Sequence, residues 1–466
     1  MNRPASHISS IRNLLANSPD CASRFLWSAD NSVSLQDALL GTSLDGRILE
    51  LAGRSVLLAA HDQLASALAI MELDGVARRL IICPPDVSPD HIPALVDQAE
   101  VDAVVSDRDW PTIGQQRSPL HVRVSSAVAP AKQVDVDPVA TEWVLLTSGT
   151  SGVPKMAVHS VATLTAPING SKGSQQGTDV VWGTFYDIRR YGGLQIFLRA
   201  LLGTGSLVLS HAGEKPADHL LRLSAHTVTH LTGTPSHWRR ALMSPAAGAI
   251  APRYIRLSGE IVDQAILNTL RAVYPHAAIG HAFASTEAGV AFEVNDGLEG
   301  FPASFVGGQG EVEIKIDDDS LRIRSARTAT HFVGHDNSAL ADSEGFVDTG
   351  DIVEQRDGRY YFQGRRTGII NVGGLKVHPE EIERLLNRHP AVQMSCVRSR
   401  SNPITGSLVV ADVVLRHPTD QHVSEIKNDI LEICRATLPR HKVPAVLNFV
   451  PALNISPAGK MARHNA

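Results

Sequence analysis

A chain of 466 residues, 43% of them hydrophobic and 20% charged, exceeds the usual size of one hydrophobic core and is too apolar for general disorder, so at least two globular domains are expected. Its net charge of −5 gives no bulk reason to expect nucleic acid or an anionic membrane as partner. The 20 histidines are scattered without metal-ligand spacing, and Cys21, Cys83, Cys396 and Cys434 form no CxxC pair, so a disulfide scaffold is not expected.

The stretch from Met1 to His7 leads into no apolar core long enough for a signal peptide, and Arg54, His61 and Asp62 interrupt the most apolar early runs. Cytoplasmic residence without integral membrane association is the default reading. After a leader through about residue 50, Ser55 to Leu58 reads as a short buried strand, 61–74 as a helix and Leu80 to Cys83 as a second strand. Residues 91–100 and 101–105 repeat the helix and strand, an alternation that predicts parallel α/β layers. Residues 143–146, 206–210 and 254–257 read as further strands that lead into loops, where binding groups concentrate. From Glu311 the hydrophobic period becomes two, with a turn at Asp317-Asp318-Asp319 and a second arm at Leu321 to Arg324, the pattern of a half-buried hairpin. Another β unit surrounds Asp357-Gly358. Further on, Pro379 to Leu386 has proline and acids at a helix start, 392–399 and 407–415 are strand-like, and 420–437 is helix-like. The expected division is a large domain over 1–366 and a small one over 367–466, with a hinge near 366–368.

Thr147-Ser148-Gly149-Thr150-Ser151-Gly152-Val153-Pro154-Lys155 follows the strand at 143–146. Glycines let backbone N–H groups approach a phosphate, hydroxyls add donors, and Lys155 adds positive charge. A polar surface loop has the same composition. The mononucleotide pattern GxxxxGK[ST] fails, because Val153-Pro154 separates Gly152 from Lys155 and Met156 replaces the magnesium-binding hydroxyl. The whole run resembles the phosphate loop of the adenylate-forming superfamily, which includes acyl- and aryl-CoA synthetases, peptide-synthetase adenylation domains and luciferases. The resemblance is clear from about 141 to 463. It implies an α/β fold with a large multi-layered N-terminal AMP-binding domain and a small mobile α+β C-terminal domain.

Four further segments carry the resemblance. Phe283-Ala284-Ser285-Thr286-Glu287 is similar to an aromatic-Gly-Ser-Thr-Glu motif, with Ala284 in place of the commoner glycine. The motif implies that Phe283 covers adenine, Thr286 binds phosphate and Glu287 holds Mg²⁺; alone, Ser-Thr-Glu is an ordinary helix cap. Ser258-Gly259-Glu260 looks like a loop near adenine and the acyl pocket, or is only a tight connection. Thr349-Gly350-Asp351 and Gly364-Arg365 resemble segments that hold the ribose hydroxyls and stabilise phosphate charge; singly, Asp351 reads equally as a turn residue and Arg365 as a solvated cation. Asn454 to Arg463 resembles the tail that carries the adenylation lysine, here Lys460, whose ammonium offsets charge as a carboxylate attacks the α-phosphorus. Arg463 is expected to anchor that tail.

Gly364 to Glu383 resembles the segment that joins the domains. Gly373 and Gly374 would leave room for a pantetheine arm, while Thr367-Gly368 stands where relatives commonly carry two acids. In the acyl pocket region, Phe185 to Gly193 lacks the usual aromatic-His pattern. Arg189 or Arg190 either pairs with a polar acyl group or is structural, and Trp182, Phe185 and His281 are candidate pocket walls.

The function implied is an ATP-dependent carboxylic acid:CoA ligase that uses Mg²⁺, forms acyl-AMP and pyrophosphate, then yields acyl-CoA and AMP. Two alternatives stay open: loading of a separate phosphopantetheine-bearing acyl-carrier protein, and a catalytically silent acyl-adenylate-binding protein. The partners are a small-molecule carboxylic acid and CoA or that carrier, with no nucleic acid; homodimerisation stays open.

Overall fold

The computed structural model describes residues 10–463 except 17, 19, 111–118, 132–136, 148–152, 170–179, 212, 309, 335–338, 403–405 and 418–421. Continuous apolar strands need cover on both faces, which parallel sheets with crossover helices provide. Ser55–Leu58 is buried at every position and pairs in parallel with Arg79–Ile82 and Ala103–Ser106. These strands belong to a seven-stranded sheet that also holds Glu142–Thr147, Lys155–His159, His331–Val333 and Leu120–Arg123. An eight-stranded sheet runs in the order Gly289–Val294, Ala278–Ser285, Tyr254–Ser258, His230–Gly233, Val181–Thr184, Ser206–Val208, Phe25–Trp27 and Ser32–Ser34.

The helices Gln63–Leu73 and Tyr191–Leu202 share one buried core with both sheets. All 11 residues of the first are buried, which explains why its apolar residues run round the helix rather than along one stripe. The described residues between 10 and 50, expected to lie in a leader, belong to the large domain's core and sheet. Ile11 and Leu15 are fully buried, and Phe25–Trp27 pairs in parallel with Ser206–Val208. Strands of three residues and helices of six are too short to show a period.

A five-stranded sheet contains the two hairpins read from the sequence, Val312–Asp317 with Ser320–Ser325 and Val347–Arg356 with Arg359–Arg365. Beyond it, Val392–Asn402, Gly406–Leu415 and Val446–Phe449 form a three-stranded sheet. With the helices Pro379–Leu386 and Val423–Thr437 it encloses a separate core that includes Ile382, Val397, Ile430 and Leu447. The fold is thus α/β, with a large N-terminal domain and a smaller C-terminal one. Among the described residues no helix is long and apolar enough to cross a membrane.

Two buried polar ties fix the strand Glu142–Thr147 and the turn at Thr286. Asp74, 3% exposed, accepts the Ile11 N–H at 2.7 Å and the Trp143 indole N–H at 2.9 Å, and burial pushes its carboxyl up to about 6. His159, at the end of its strand, donates from Nε2 to the Thr286 carbonyl at 2.7 Å. Burial lowers the His159 imidazole to about 4, so near neutral pH it is an uncharged donor.

Asp74→Ala leaves two buried N–H groups without an acceptor and is expected to cost about 2–4 kcal/mol; an unchanged urea midpoint would contradict this tie. For His159 the unfolded chain, at about 6.5, takes up a proton before the folded one does, so its contribution is present above that pH and is lost as the pH falls toward 4. The stability gap between the wild type and His159→Gln should therefore shrink between pH 7.5 and 4.5. A gap independent of pH would refute the assignment.

Candidate functional site

Thr147 and Lys155, at the two ends of the polar run, are direct partners across two antiparallel strands. Ser148, Gly149, Thr150, Ser151 and Gly152 lie outside the described residues. Beside this strand pair opens a cleft of about 380 Å³, lined among others by Thr147, Phe283, Glu287, Asp351, Arg365 and Lys460. These residues come from three sheets, the turn that joins Ala278–Ser285 to Gly289–Val294, and the C-terminal tail. Thr286, Gly259, Glu260 and His281 line it too.

Each wall has a local cause. Phe283 stacks on Phe362 at 5.4 Å between ring centroids and on Phe292 at 5.7 Å, so a broad apolar surface faces the cleft. Asp351 and Arg365 are cross-strand partners, joined by a hydrogen bond of 3.3 Å from Arg365 Nε. Burial raises the Asp351 carboxyl above its ordinary value while Arg365 pulls it down. Glu287 makes no side-chain hydrogen bond or ion pair among the described residues. A cleft-lining carboxylate without a protein counter-charge suits a divalent cation with oxygen ligands.

Lys460 reaches the cleft through a tightly built tail. Ser456 and Gly459 are joined by a backbone hydrogen bond of 2.8 Å, and Ile455 bridges to Met461. The tail docks on the start of the helix Pro235–Leu242, where Thr234 and His237 form a reciprocal cap. The Thr234 hydroxyl donates to the Gly459 carbonyl at 2.5 Å. Gly459, at φ +72°, lies so close to the His237 imidazole that a Cβ there would clash with the ring, 1.8 Å from its nearest atom. On the other side, Glu260 accepts from the Ser236 N–H at 2.9 Å and the Met461 N–H at 2.7 Å. Glu260 therefore clamps the lysine tail, in addition to lining the cleft.

Arg463 secures the far end through Glu380 at 2.8 Å and Glu383 at 2.6 Å, the anchoring role expected of it. Burial pushes the Glu380 carboxyl up to about 7 despite Arg463. Lys460 is open to the cleft but crowded by protein on its other sides; that desolvation, then Arg365, lowers its ammonium below the ordinary lysine value.

Several expected residues fall elsewhere. Lys155 is not among the cleft-lining residues and stands 5.3 Å over the Phe332 ring. Gly373 and Gly374, at φ +59° and +87°, form the turn of a small hairpin with open space around them, away from the cleft in this domain arrangement. Arg189 is fully buried and bonded to Asp187 and to the carbonyls of Ala60 and His61, so it is structural. Arg190 pairs with Asp86. Trp182 is buried against His230 and Tyr254, and Phe185 stacks on His237; neither lines the cleft, whereas His281 does.

The sequence reading missed Thr234, whose place before Pro235 is a helix-start signature. It also missed Arg239, which lines the cleft and is paired with Asp263 at 2.6 Å, and His159, which gives no local signal.

A family model described as AMP-binding enzyme matches residues 47–327, and one described as AMP-binding enzyme C-terminal domain matches 381–460. The human mitochondrial acyl-coenzyme A synthetase ACSM2A is 27% identical over 349 residues, 69% of this chain and 59% of that protein; the chain thus spans less than two thirds of this relative's length. Human ACSM1 is 24% identical over 452 residues, 88% of this chain and 74% of that one. Among solved structures, the anthranilate CoA ligase AuaEII in complex with anthranoyl-AMP gives a TM-score of 0.79 at 17% identity, covering 97% and 96% of the two chains. The Bacillus subtilis o-succinylbenzoate CoA synthetase in complex with ATP and magnesium gives 0.75 at 16%, covering 97% of each. With more than half of its length matched by the first model and the fold shared from end to end, the chain belongs to the AMP-binding, adenylate-forming enzyme family.

Proposed function

We propose that this chain is an AMP-forming acid–thiol ligase that joins a carboxylic acid to CoA through an acyl adenylate. The observation that carries the reading is the single cleft that gathers Thr147, Glu287, Asp351, Arg365 and Lys460 from distant parts of the chain. In the first step a carboxylate oxygen of the acid bonds to the α-phosphorus of ATP and the bond to pyrophosphate breaks. Lys460 and Arg365 hold the charge that develops there. Asp351 accepts from ribose hydroxyls, the Phe283 face covers the base, and Thr286 binds phosphate. Glu287 would hold Mg²⁺, which offsets phosphate charge when bound. The acid is already ionised near neutral pH and needs no general base.

In the second step the thiol sulfur bonds to the acyl carbon and AMP leaves. For this step the small domain, 367–466, rotates about Arg366–Gly368 and brings Gly373-Gly374 toward the cleft. Thr367 lines the cleft, and Gly368 has open space around it, which supports a hinge that works without paired acids. The same cleft serves loading of a separate phosphopantetheine-bearing carrier protein, and CoA saturation compared with a purified carrier separates the two acceptors.

Lys460→Ala should lower acid-dependent pyrophosphate release by at least about 100-fold without moving the thermal midpoint; wild-type release from a folded variant would refute the lysine's role. Glu260→Gln weakens charge-assisted hydrogen bonds worth about 1.5–3 kcal/mol. Faster amide exchange over 456–461 should accompany an adenylation rate lower by about 10-fold or more. Unchanged exchange at Met461 would mean that Glu260 does not hold the tail.

A further inference from the structure

The eight-stranded sheet contains one buried cation whose hydrogen-bonding capacity is unused. Arg256 is 6% exposed. Its Nε has no hydrogen-bond partner, its guanidinium donates no hydrogen bond among the described residues, and its nearest carboxylate oxygen, Glu293 Oε2, lies 3.9 Å away. Glu293 is engaged by the Tyr254 hydroxyl through its other oxygen. The contrast with Arg189 and Arg239 is direct, since each of those makes paired hydrogen bonds to one aspartate. A buried guanidinium left this way is costly, and the cost is removed by an acceptor that enters from outside.

Strand register connects this arginine to the cleft. Arg256 is the partner of Gly280, Ser258 of Ala282, and Ala282 of Glu293. Paired residues, and residues two apart on a strand, share a face. Ala282 lines the cleft together with Lys460, and the Lys460 Cε lies 3.8 Å from where Gly259 would carry a Cβ. Arg256 stands two residues below Ser258, roughly 7 Å deeper at the rise of a strand. Polar groups continue on this face: the Thr184 and Thr232 hydroxyls bond each other at 3.1 Å, with Thr232 the partner of Arg256. The Tyr186 hydroxyl donates to the Ser258 carbonyl at 2.7 Å and feels both Arg256 and Glu260.

We propose that Arg256 anchors the far end of the acyl site, and that the acid this chain activates carries a second carboxylate roughly 7 Å from the reacting one. The inference rests on the carboxylate-activating reading of the cleft. The far carboxylate accepts two parallel N–H bonds from the guanidinium and stays ionised while the near one bonds to phosphorus. A monoacid of the same length leaves Arg256 with only the 3.9 Å ion pair to Glu293, and a site built to bond a polar group rejects the analogue that lacks it.

The test compares adipate, pimelate and terephthalate with hexanoate, heptanoate and 4-methylbenzoate in acid-dependent pyrophosphate release. The wild type should favour the best diacid over its matched monoacid by at least about 50-fold in kcat/KM. Arg256→Met should reduce that ratio by at least about tenfold and Arg256→Lys by less. A wild-type preference for monoacids, or an unchanged ratio in Arg256→Met, overturns the proposal. Thermal shift with the same acids gives a readout without turnover. A diacid that stabilises the wild type but not Arg256→Met supports the anchor even if no acid releases pyrophosphate, in which case the adenylation reading falls and the site stands. No diacid-specific shift and no diacid preference removes the site.

Discussion

Gly459 carries no side chain, and the arrangement of the cleft depends on that. The His237 imidazole occupies the space that a Cβ at Gly459 would need. Only a bare backbone can come close enough for the Thr234 hydroxyl to reach the Gly459 carbonyl and for Glu260 to reach the Met461 amide. The tail is thereby held by backbone groups, and the Lys460 side chain is left free to point into the cleft. The contacts are few and polar, joining small-domain and large-domain residues without a large shared apolar core. Such an interface can be made and broken between two steps of a reaction, as the proposed rotation requires.

Charge placement follows the same economy. Several cations are fully engaged by protein groups: Arg189 by Asp187 and two carbonyls, Arg239 by Asp263, Arg463 by Glu380 and Glu383. Three other charged groups are left short of partners. Glu287 lacks a protein counter-charge among the described residues, Asp351 has one long bond to Arg365, and Arg256 has none shorter than 3.9 Å. Unsatisfied charge at the wall of a cleft marks where a ligand completes the electrostatics; Glu287 and Asp351 line the cleft, and in the proposed reading the buried Arg256 serves the acyl end.

Much of this was legible in the chain. Val56, Leu57, Ile81 and Val104 sit in apolar runs with helix-length spacers, and burial of both sheet faces leaves such runs little choice but a parallel layer. The hairpins at Asp317–Asp319 and Asp357-Gly358 announce themselves by alternation and by turn residues that tolerate positive φ, which Asp318, Asp319 and Asp357 adopt. Phe283, Glu287, Asp351, Arg365 and Lys460 were marked by motif, and all five line one cavity. Arg189 stayed open between a structural role and acyl pairing, because an arginine reads the same in sequence whether it is buried against Asp187 or aimed at a ligand.

The sequence by itself determined the element types over most of the large sheets, the family, and a set of motif residues that meet at one cleft, because periodicity and motif are local properties of the chain. Tertiary structure alone decided that Ile11, Leu15 and Leu26 complete the core, that Glu260 clamps the tail, that His159 supports Thr286, and that Arg256 is buried without a hydrogen-bond partner. Each of those depends on which groups arrive opposite one another from strands and helices far apart in the chain. Whether a buried charge is neutralised is set by that meeting, and no stretch of neighbouring residues encodes it.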